Sequence, residues 1–322
     1  DTMRPVIVCP ADTIIDCTSG TTPSFTGSAS ATDSCDPAPA ISSTDVTIAG
    51  ACPQEYTITR RWIAVDACQN HDTCYQTIIV QDTMRPVIVC PADTIIDCTS
   101  GTTPAFTGSA SATDSCDPAP VISSSDVTLA GGCPEEYTIT RRWIAVDACQ
   151  NHDTCYQTII VQDTMRPVIV CPADTIIDCT SGTTPAFTGS ASAMDSCDPA
   201  PVISSSDVTL AGACPQEYTI TRRWIAVDAC QNHDTCYQTI IVQDTMRPVI
   251  VCPIDTIIDC TSGTTPAFTG SASATDSCDP APVISSIDVT LAGGCPQEYT
   301  ITRRWIAVDA CQNHDTCYQT IT

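Results

Sequence analysis

The chain contains no lysine, and arginine is its only strongly basic residue. Lysine and arginine together number 12, against 37 aspartates and glutamates, which gives a net charge of −25. Proteins that bind nucleic acid or anionic membranes present a positive surface to them. We therefore expect neither partner, and we expect the surplus of carboxylates to need a cation from solution.

Long apolar segments are also missing. No stretch reaches the roughly 18 apolar residues that a membrane-spanning helix requires. Helical periodicity, a signal peptide and a start methionine are absent too, as is the Asn-x-Ser/Thr pattern of N-glycosylation. We expect no membrane insertion, and we expect these residues to be an excerpt from a longer array or its mature repetitive part.

The sequence is rich in repetition. Asp1, Asp82, Asp163 and Asp244 each open the same pattern, 81 positions apart. Self-similarity at a fixed period indicates an array of small modules rather than one or two large domains. We predict four modules, with the bounds 1–81, 82–162, 163–243 and 244–322.

Cysteine is abundant, with 24 residues in the chain and six in each module. A module of about 80 residues buries a small core and is marginal without cross-links. This density is typical of disulfide scaffolds in an oxidising compartment, so we predict an extracellular or cell-surface protein. The strand layout favours three bridges within each module, which in the first would be Cys9–Cys74, Cys17–Cys52 and Cys35–Cys68.

Short segments of β-type residues alternate with turn signals in every module. In the first module we predict strands over 4–9, 13–17, 25–32, 41–48, 56–65 and 73–80. The buried face of 56–65 stays open, because Arg60 shares one face with Ile58 and Trp62 while Arg61 lies on the other. The pattern predicts an all-β fold, a tandem array of four immunoglobulin-like β-sandwich modules with three disulfides each.

Acidic loops are predicted to meet where one module joins the next. In a sandwich of this kind the loop with Asp33 and Asp36 and the hairpin with Asp66, Asn70 and Asp72 share one end with Asp1. Calcium prefers six to eight oxygen ligands, largely carboxylates. We predict structural Ca²⁺ at the three internal junctions, bound by Asp82, Asp114, Asp117, Asp147, Asn151 and Asp153; by Asp163, Asp195, Asp198, Asp228, Asn232 and Asp234; and by Asp244, Asp276, Asp279, Asp309, Asn313 and Asp315. The alternative is that these residues only cap solvated turns.

Other chemistry fits the sequence less well. Zinc could use Cys68, His71 and Cys74, but it would leave the other cysteines unexplained. His71 has no nucleophile at a defensible spacing, so no catalytic site and no enzyme activity are predicted. Arg60 and Arg61 are expected to form exposed ion pairs with Glu55 or Asp45, or alternatively to dock on a neighbouring unit.

Three segments of the module resemble hyalin-repeat (HYR-like) modules, found in long secreted and surface proteins that include adhesin-like repeats of the Bacteroidetes. They are Asp-Thr-x-x-Pro-Val-Ile-x-Cys-Pro over 1–10, Ala-Thr-Asp-Ser-Cys-Asp-Pro over 31–37, and Tyr-Thr-Ile-Thr-Arg-x-Trp-x-Ala-x-Asp-Ala-Cys-x-Asn over 56–70. The resemblance implies an immunoglobulin-like fold and an extracellular structural or adhesive role without catalysis. The family has Gly-Asn where this chain has Gln69-Asn70, which leaves the geometry of that turn open. Thr2 and Thr13 also lie in Asp-Thr-aliphatic segments similar to O-glycosylation sites of Bacteroidetes surface proteins.

Together these features predict a stiff extracellular rod or filament with calcium at its joints. Its expected partners are further copies of the same repeat, end to end and also side by side. The alternative is a set of adhesin repeats that bind glycan or protein ligands, since copies of a weak site gain avidity.

Overall fold

A computed structural model describes residues 1–322 of the chain. They form two compact units, Asp1–Asp163 and Thr164–Thr322. Each unit holds two sequence repeats, and each repeat builds the same small β-sandwich. The fold class is therefore the predicted one, a tandem array of immunoglobulin-like modules.

The first repeat contains six strands and one helical turn. Their bounds are β1 (Val6–Val8), β2 (Thr13–Asp16), α1 (Pro23–Thr26), β3 (Ser30–Thr32), β4 (Ala40–Ala49), β5 (Tyr56–Val65) and β6 (His71–Gln81). The second repeat contains β7 (Val87–Val89), β8 (Thr94–Asp97), α2 (Pro104–Thr107), β9 (Ser111–Thr113), β10 (Val121–Ala130), β11 (Tyr137–Val146) and β12 (His152–Gln162).

The second unit repeats this order. The third repeat contains β13 (Val168–Val170), β14 (Thr175–Asp178), α3 (Pro185–Thr188), β15 (Ser192–Met194), β16 (Val202–Ala211), β17 (Tyr218–Val227) and β18 (His233–Gln243). The fourth contains β19 (Val249–Val251), α4 (Pro266–Thr269), β20 (Ser273–Thr275), β21 (Val283–Ala292), β22 (Tyr299–Val308) and β23 (His314–Ile321). In place of a strand equivalent to β14, the fourth repeat has one parallel bridge between Thr256 and Ile321.

Two sheets of unequal size form each sandwich. In the first repeat the larger sheet has the order β4-β5-β6-β2, and the smaller pairs β1 with β3. Strands β4, β5 and β6 are antiparallel, whereas β2 runs parallel to β6 with Asp16 opposite Gln81. This parallel pairing brings the end of β2 to the end of the repeat, where the next repeat begins.

The central strand β5 buries the face that carries Arg60. Ile58, Trp62 and Ala64 on this face are at most 5 % exposed, and so is Arg60 at 3 %. Strand register places Asp45, Arg60 and Gln76 side by side on β4, β5 and β6. The buried face that the sequence left open is thus fixed by cross-strand polar pairing.

All three nitrogens of the Arg60 guanidinium donate hydrogen bonds inside its own repeat. Its Nε and Nη2 donate to the two carboxylate oxygens of Asp45 at 2.8 Å each. Nη1 donates to the hydroxyl of Thr26 and Nη2 also to the carbonyl of Thr21, at 2.9 and 2.7 Å. The expected partner Asp45 is confirmed, but the expectation of an exposed pair is wrong for Arg60, because the guanidinium is desolvated on the β5 core face. Arg61 is exposed.

The predicted strand over 25–32 is wrong in its first half. Pro23 starts a single helical turn that ends at Thr26, and Gly27 after it, with a φ of +95°, breaks the extended pattern. The side chains therefore do not follow the alternation of a strand with Phe25 inside, since Phe25 is 71 % exposed while Thr26 is buried. Only Ser30–Thr32 forms a strand.

One of the three predicted disulfides is confirmed. Cys9 bonds to Cys74, and the equivalent bonds in the other repeats are Cys90–Cys155, Cys171–Cys236 and Cys252–Cys317. These bonds tie the first strand of each repeat to its last. Because Cys74 is oxidised, the zinc alternative with Cys68 and His71 is excluded.

The predictions Cys17–Cys52 and Cys35–Cys68 are wrong. Cys17 bonds to Cys116 and Cys52 to Cys149, so both bonds join the first repeat to the second. The second unit has the same pair, Cys179–Cys278 and Cys214–Cys311. The reason is the parallel strand β2, which places Cys17 beside Gln81, with its N–H donating to the Gln81 carbonyl at 2.9 Å.

The first and fourth repeats therefore have one internal disulfide each rather than the predicted three. Cys98, Cys133, Cys197 and Cys230 are also disulfide-bonded. Four cysteines remain free and exposed: Cys35, Cys68, Cys260 and Cys295.

Candidate metal centre

The junction of the first two repeats is short and acidic. Strand β6 ends at Gln81, and Asp82 follows directly as the first residue of the next repeat. The end of β2 lies alongside and supplies Asp16. Two loops of the second repeat supply Asp114 and Asp147, on either side of strands β10 and β11.

Asp82 lies in the middle of this group. It is 4 % exposed. Burial raises the pKa of its carboxyl, and the charges of Asp147, Asp114 and Asp16 raise the pKa further, in that order. A hydrogen bond from the Met84 N–H to Asp82 Oδ1, at 3.1 Å, acts in the opposite direction. The four carboxylates therefore repel one another around a buried centre.

Asp147 organises the hairpin after β11. Its Oδ1 accepts the N–H groups of Cys149 and Asn151 at 2.9 and 2.8 Å. The amide nitrogen of Asn151 donates to Asp147 Oδ2 at 2.8 Å and to the Asp82 carbonyl at 3.1 Å. Asn151 thereby ties the hairpin to the first residue of its repeat.

The turn of this hairpin has the geometry that favours glycine. Gln150 adopts a φ of +71°, in the left-handed region that side chains disfavour. Its equivalents Gln69, Gln231 and Gln312 adopt the same conformation. The turn that the sequence left open therefore has a glycine-type backbone at a glutamine.

Asp114 and Asp117 lie in the proline-rich loop before β10. Asp114 Oδ1 accepts the N–H groups of Cys116 and Asp117 at 2.7 and 2.8 Å. Both oxygens of Asp117 accept main-chain N–H groups, from Ala119 and Ala148, at 2.9 Å each. Asp117 therefore joins its loop to the Asp147 hairpin.

Two carboxylate oxygens at this junction are buried without a hydrogen-bond donor. At the first junction they are Asp82 Oδ2 and Asp114 Oδ2. A buried carboxylate oxygen without a partner carries a large desolvation cost. Oxygen atoms of this kind are what Ca²⁺ prefers as ligands, and several carboxylates at one site favour a divalent ion. The donor set at the junction therefore fits calcium.

The junction between the third and fourth repeats has the same construction. Asp244 is 4 % exposed, and burial together with the charges of Asp309, Asp276 and Asp178 raises the pKa of its carboxyl. Asn313 donates to the Asp244 carbonyl at 3.0 Å. Here three carboxylate oxygens are buried without a donor: the Oδ2 atoms of Asp244, Asp276 and Asp309. Asp279 holds its loop through Ala281 and Ala310, as Asp117 does.

Three of the remaining predicted ligands form the same local bonds as their counterparts in the other repeats. Asp163 is buried at 5 % exposure. In the third repeat Asp195, Asp198 and Asp228 accept main-chain N–H groups in the pattern of Asp114, Asp117 and Asp147. Asn232 lies in the hairpin that follows Asp228.

The third residue of each hairpin set makes a different local bond. Asp153, Asp234 and Asp315 each accept the N–H of the threonine that follows, at 2.8 Å. They are not among the charges that act on Asp82 or Asp244. Their ligand role stays a prediction.

Asp16 and Asp178 are members of the acidic group that the sequence did not reveal. Each ends the strand that runs parallel to the last strand of its repeat. Asp16 Oδ2 also accepts the Thr83 hydroxyl at 3.4 Å. The sequence signal is a carboxylate directly before Cys17, which points to the junction only once the parallel pairing is known.

The outer strand of the larger sheet is also a candidate contact surface. β4 pairs only with β5, and every residue from Ala40 to Ala49 is exposed. Val46 and Ile48 are each 63 % exposed. An unpaired edge with apolar side chains is a site where chains associate.

Comparison with known proteins yields only distant structural likeness. Extracellular domains 1–4 of protocadherin gamma B7 align with a TM-score of 0.35 and 12 % identity, over 88 % of this chain and 92 % of that one. A cis-dimer structure of protocadherin gamma B7 domains EC3-6 aligns with a TM-score of 0.37 and 14 % identity, over 99 % of this chain and 100 % of that one. Drosophila N-cadherin EC1-4 aligns with a TM-score of 0.27 and 12 % identity over 82 % and 83 %. No known family profile and no curated protein sequence matches the chain. Every helix of the chain is a single turn, too short to cross a membrane.

Proposed function

We propose that the chain is a non-enzymatic extracellular structural protein, a stiff rod or surface filament whose repeat junctions are rigidified by Ca²⁺. The observation that carries this proposal is the set of buried carboxylate oxygens without donors at the junctions, exemplified by Asp244, Asp276 and Asp309. A divalent cation would remove both the desolvation cost and the mutual repulsion.

The residues that would hold the ion are those of the acidic group. At the first junction they are Asp82, Asp114 and Asp147 from the second repeat and Asp16 from the first. Because Asp16 and Asp82 belong to different repeats, an ion bound by both would fix the angle between them. Asp117 and Asn151 would hold the loops in place through the hydrogen bonds described above.

Covalent bonds support the same mechanical role. Cys17–Cys116 and Cys52–Cys149 cross the junction at two separate points, with sequence separations of 99 and 97. Two bridges and a chain connection with no spacer leave little freedom to bend. The density of disulfides also supports an extracellular location.

Three finer assignments belong to this proposal. The four modules keep the bounds 1–81, 82–162, 163–243 and 244–322, and we assign them to the HYR-like type on the segments quoted above. Side-by-side contact between chains would use the exposed β4 edges. Thr2, Thr13 and their equivalents would carry O-glycans if the Asp-Thr-aliphatic pattern is used. Binding of glycan or protein ligands remains the alternative prediction.

The test is thermal unfolding of the full chain in Ca²⁺ and in a chelator at pH 7. At calcium a hundredfold above the dissociation constant, linkage predicts a gain of about 2.7 kcal/mol per site. The combined variant Asp82→Asn and Asp244→Asn should lose most of that gain, while in chelator it should melt above the wild type because a repelling charge is gone. Glu135→Gln is the matched control, since Gln54, Gln216 and Gln297 occupy the same position in the other repeats.

The metal-free chain should also respond to pH with a defined sign. Folding raises the pKa values of Asp82 and Asp244. The contribution of these two carboxyl groups to the free energy of unfolding is therefore fully present below the ordinary aspartate pKa, and it is lost as pH rises through the raised values. Calcium should reverse this trend. Identical melting of the wild type in calcium and in chelator would refute the proposal.

A further inference from the structure

The outer strand of the larger sheet is exposed even in repeats that have a neighbour on both sides in the chain. The second and third repeats are flanked in this way, and their outer strands are β10 and β16. Each of these strands pairs only with the strand that follows it, and nine of its ten residues are exposed. The adjacent repeats leave this edge uncovered, so its exposure is a property of the interior repeats themselves.

The outward face of this strand, opposite to the core, is apolar and uncharged. In β10 it carries Val121, Val127 and Leu129, which are 71, 71 and 72 % exposed. The other two outward residues are Ser123 and Ser125, and β16 has the same sequence as β10. In a chain with a net charge of −25, an exposed strand face without charge favours contact with another protein surface.

The edge also lacks the features that keep free strands apart. Natural proteins protect such edges with short strands, bulges, proline or charged side chains. Strand β10 has ten residues without proline, and its register with β11 continues residue by residue from Val121 to Ala130. Its single charge is Asp126 on the core face, whose carboxylate oxygens accept hydrogen bonds from Arg141 at 2.7 and 2.8 Å. By contrast, the opposite edge strand β8 has only four residues and ends at Asp97.

We propose that this outer strand pairs antiparallel with the same strand of a second copy of the chain, so that two sheets join edge to edge. For β10 the register places Ser125 opposite Ser125 of the other copy, Val127 opposite Ser123, and Leu129 opposite Val121. The inference names the partner and the register of the side-by-side contact within the proposed function, on which it rests.

Symmetry and charge select this register. A shift by one residue would place the outward face of one strand opposite the core face of the other. A shift by two residues in one direction would place Asp126 opposite Asp126, and like charges directly opposite each other are destabilising. A shift by two in the other direction would place Ile122 opposite Asp126 and leave Leu129 without a partner. The proposed register avoids all three arrangements.

A second copy fits this edge better than an unrelated strand does. In the proposed register Leu129 and Val121 form an apolar cross-strand pair at both ends of the ladder, because the pairing is symmetric. Each chain also presents the strand in four repeats. A partner with the same repeat length can engage more than one edge at once, which raises the effective affinity.

The experiment measures self-association of the full chain by sedimentation velocity over a range of protein concentrations in calcium. The wild type should form dimers, and more of them at higher salt, because salt screens the repulsion between two chains of net charge −25. Hydrogen exchange should show that the amides of β10 and β16 become protected as dimers form. A wild type that stays monomeric would overturn the proposal. Protection of these amides in the monomer would also overturn it, since a repeat of the same chain would then cover the edge.

A charge on the edge provides the first variant. Lysine in place of one outward valine in every repeat should weaken dimerisation about tenfold or more, because lysine on an edge strand opposes pairing with another strand. The positions are Val46, Val127, Val208 and Val289.

The matched control places lysine at exposed valines of the smaller sheet and adds the same charge. Its positions are Val8, Val89, Val170 and Val251. This set should not weaken dimerisation. Equal losses in the two sets would show that the edge is not the contact and would overturn the proposal.

A second exchange tests the register. Glutamate in place of the serine opposite each outward valine should restore dimerisation to the lysine variant. The added positions are Ser42, Ser123, Ser204 and Ser285. The lysine introduced at position 127 would face the glutamate introduced at position 123 of the other copy, and opposite charges in such a pair attract. In a shifted register these charges would not lie opposite each other, so a failure to recover would contradict the proposed pairing.

Thermal unfolding separates this inference from the calcium junction. The edge variants keep every carboxylate of the acidic group, so at concentrations where the chain is monomeric calcium should raise their melting temperature as much as that of the wild type. A chain that does not dimerise but keeps this rise would lose only the side-by-side contact. A chain that dimerises without any rise would lose only the junction proposal.

Discussion

At the scale of single residues, a buried arginine lies among the apolar side chains of each repeat's core. Arg60 lies over the ring of Trp62, with 5.8 Å from its Cζ to the ring centroid, while it binds both oxygens of Asp45. Its planar guanidinium satisfies the carboxylate, a hydroxyl and a carbonyl together. Lysine has the same charge but cannot bridge these groups.

Replacement of this arginine by lysine in all four repeats should lower the free energy of unfolding by about 2 kcal/mol per repeat, because acceptors are left unpaired. Urea titration at pH 7 measures the loss. The positions are Arg60, Arg141, Arg222 and Arg303.

The exposed neighbours provide the control for this prediction. The same exchange at Arg61, Arg142, Arg223 and Arg304 should change stability by less than about 0.5 kcal/mol per repeat. Hydrogen bonding from arginine lowers the pKa of Asp45, so the pair stabilises the fold above the ordinary aspartate pKa and less as pH falls through the lowered value. The difference between wild type and the buried lysine variant should therefore shrink in acid. Equal losses at the buried and exposed positions would contradict this account.

At the scale of elements, a single helical turn connects the two sheets. Fully buried Gln157 of β12 donates through Nε2 to the Thr107 carbonyl at the end of this turn, at 2.6 Å, and to the Ala92 carbonyl at 3.0 Å. Gly108 then leaves the turn with a φ of +94°. The turn thus depends on the hydrogen bonds from Gln157 and on the positive φ of Gly108.

Gly108→Ala should destabilise the second repeat by about 1 to 2 kcal/mol. A Cβ there would lie 2.8 Å from Pro91 Cβ and would strain the left-handed backbone. Differential scanning calorimetry of the full chain measures the lowered transition. Gly132→Ala in the same repeat is the control and should be nearly neutral, because its Cβ would meet only Glu136 Oε2 at 3.5 Å and alanine already occupies this position at Ala51 and Ala213. A neutral result for both would show that the turn is not under this constraint.

At the scale of the molecule, disulfides decide how the repeats respond to force. A bond such as Cys17–Cys116 closes a segment of 99 residues that spans parts of two repeats. Pulling cannot extend the chain inside that closed segment while the bond is intact.

Single-molecule pulling should therefore give different step lengths with and without reductant. A reduced repeat of 81 residues can release up to about 280 Å of contour length, less its folded length. The oxidised chain should show no steps of that size. Full-length steps without reductant would contradict the cross-repeat bonds.

The sequence by itself determined the repeat, the positions of most strands, the confirmed Cys9–Cys74 bond and the presence of an acidic group at Asp82 and its equivalents. These follow from patterns that are local or strictly periodic. Three such patterns are an alternating strand, a turn with proline, and a cysteine in the first and last strands. Each can be recognised in the sequence without knowing which strands pair.

Only the tertiary structure decided which cysteines pair across repeats, which face of β5 is buried and that Asp16 joins Asp82. All three depend on pairings between distant strands: β2 parallel to β6, and Asp45, Arg60 and Gln76 in register across three strands. A sequence with four equivalent copies of every cysteine cannot distinguish a bond within one repeat from a bond to the next. The parallel strand makes that distinction, because it carries Cys17 away from Cys52 and presents it to the following repeat.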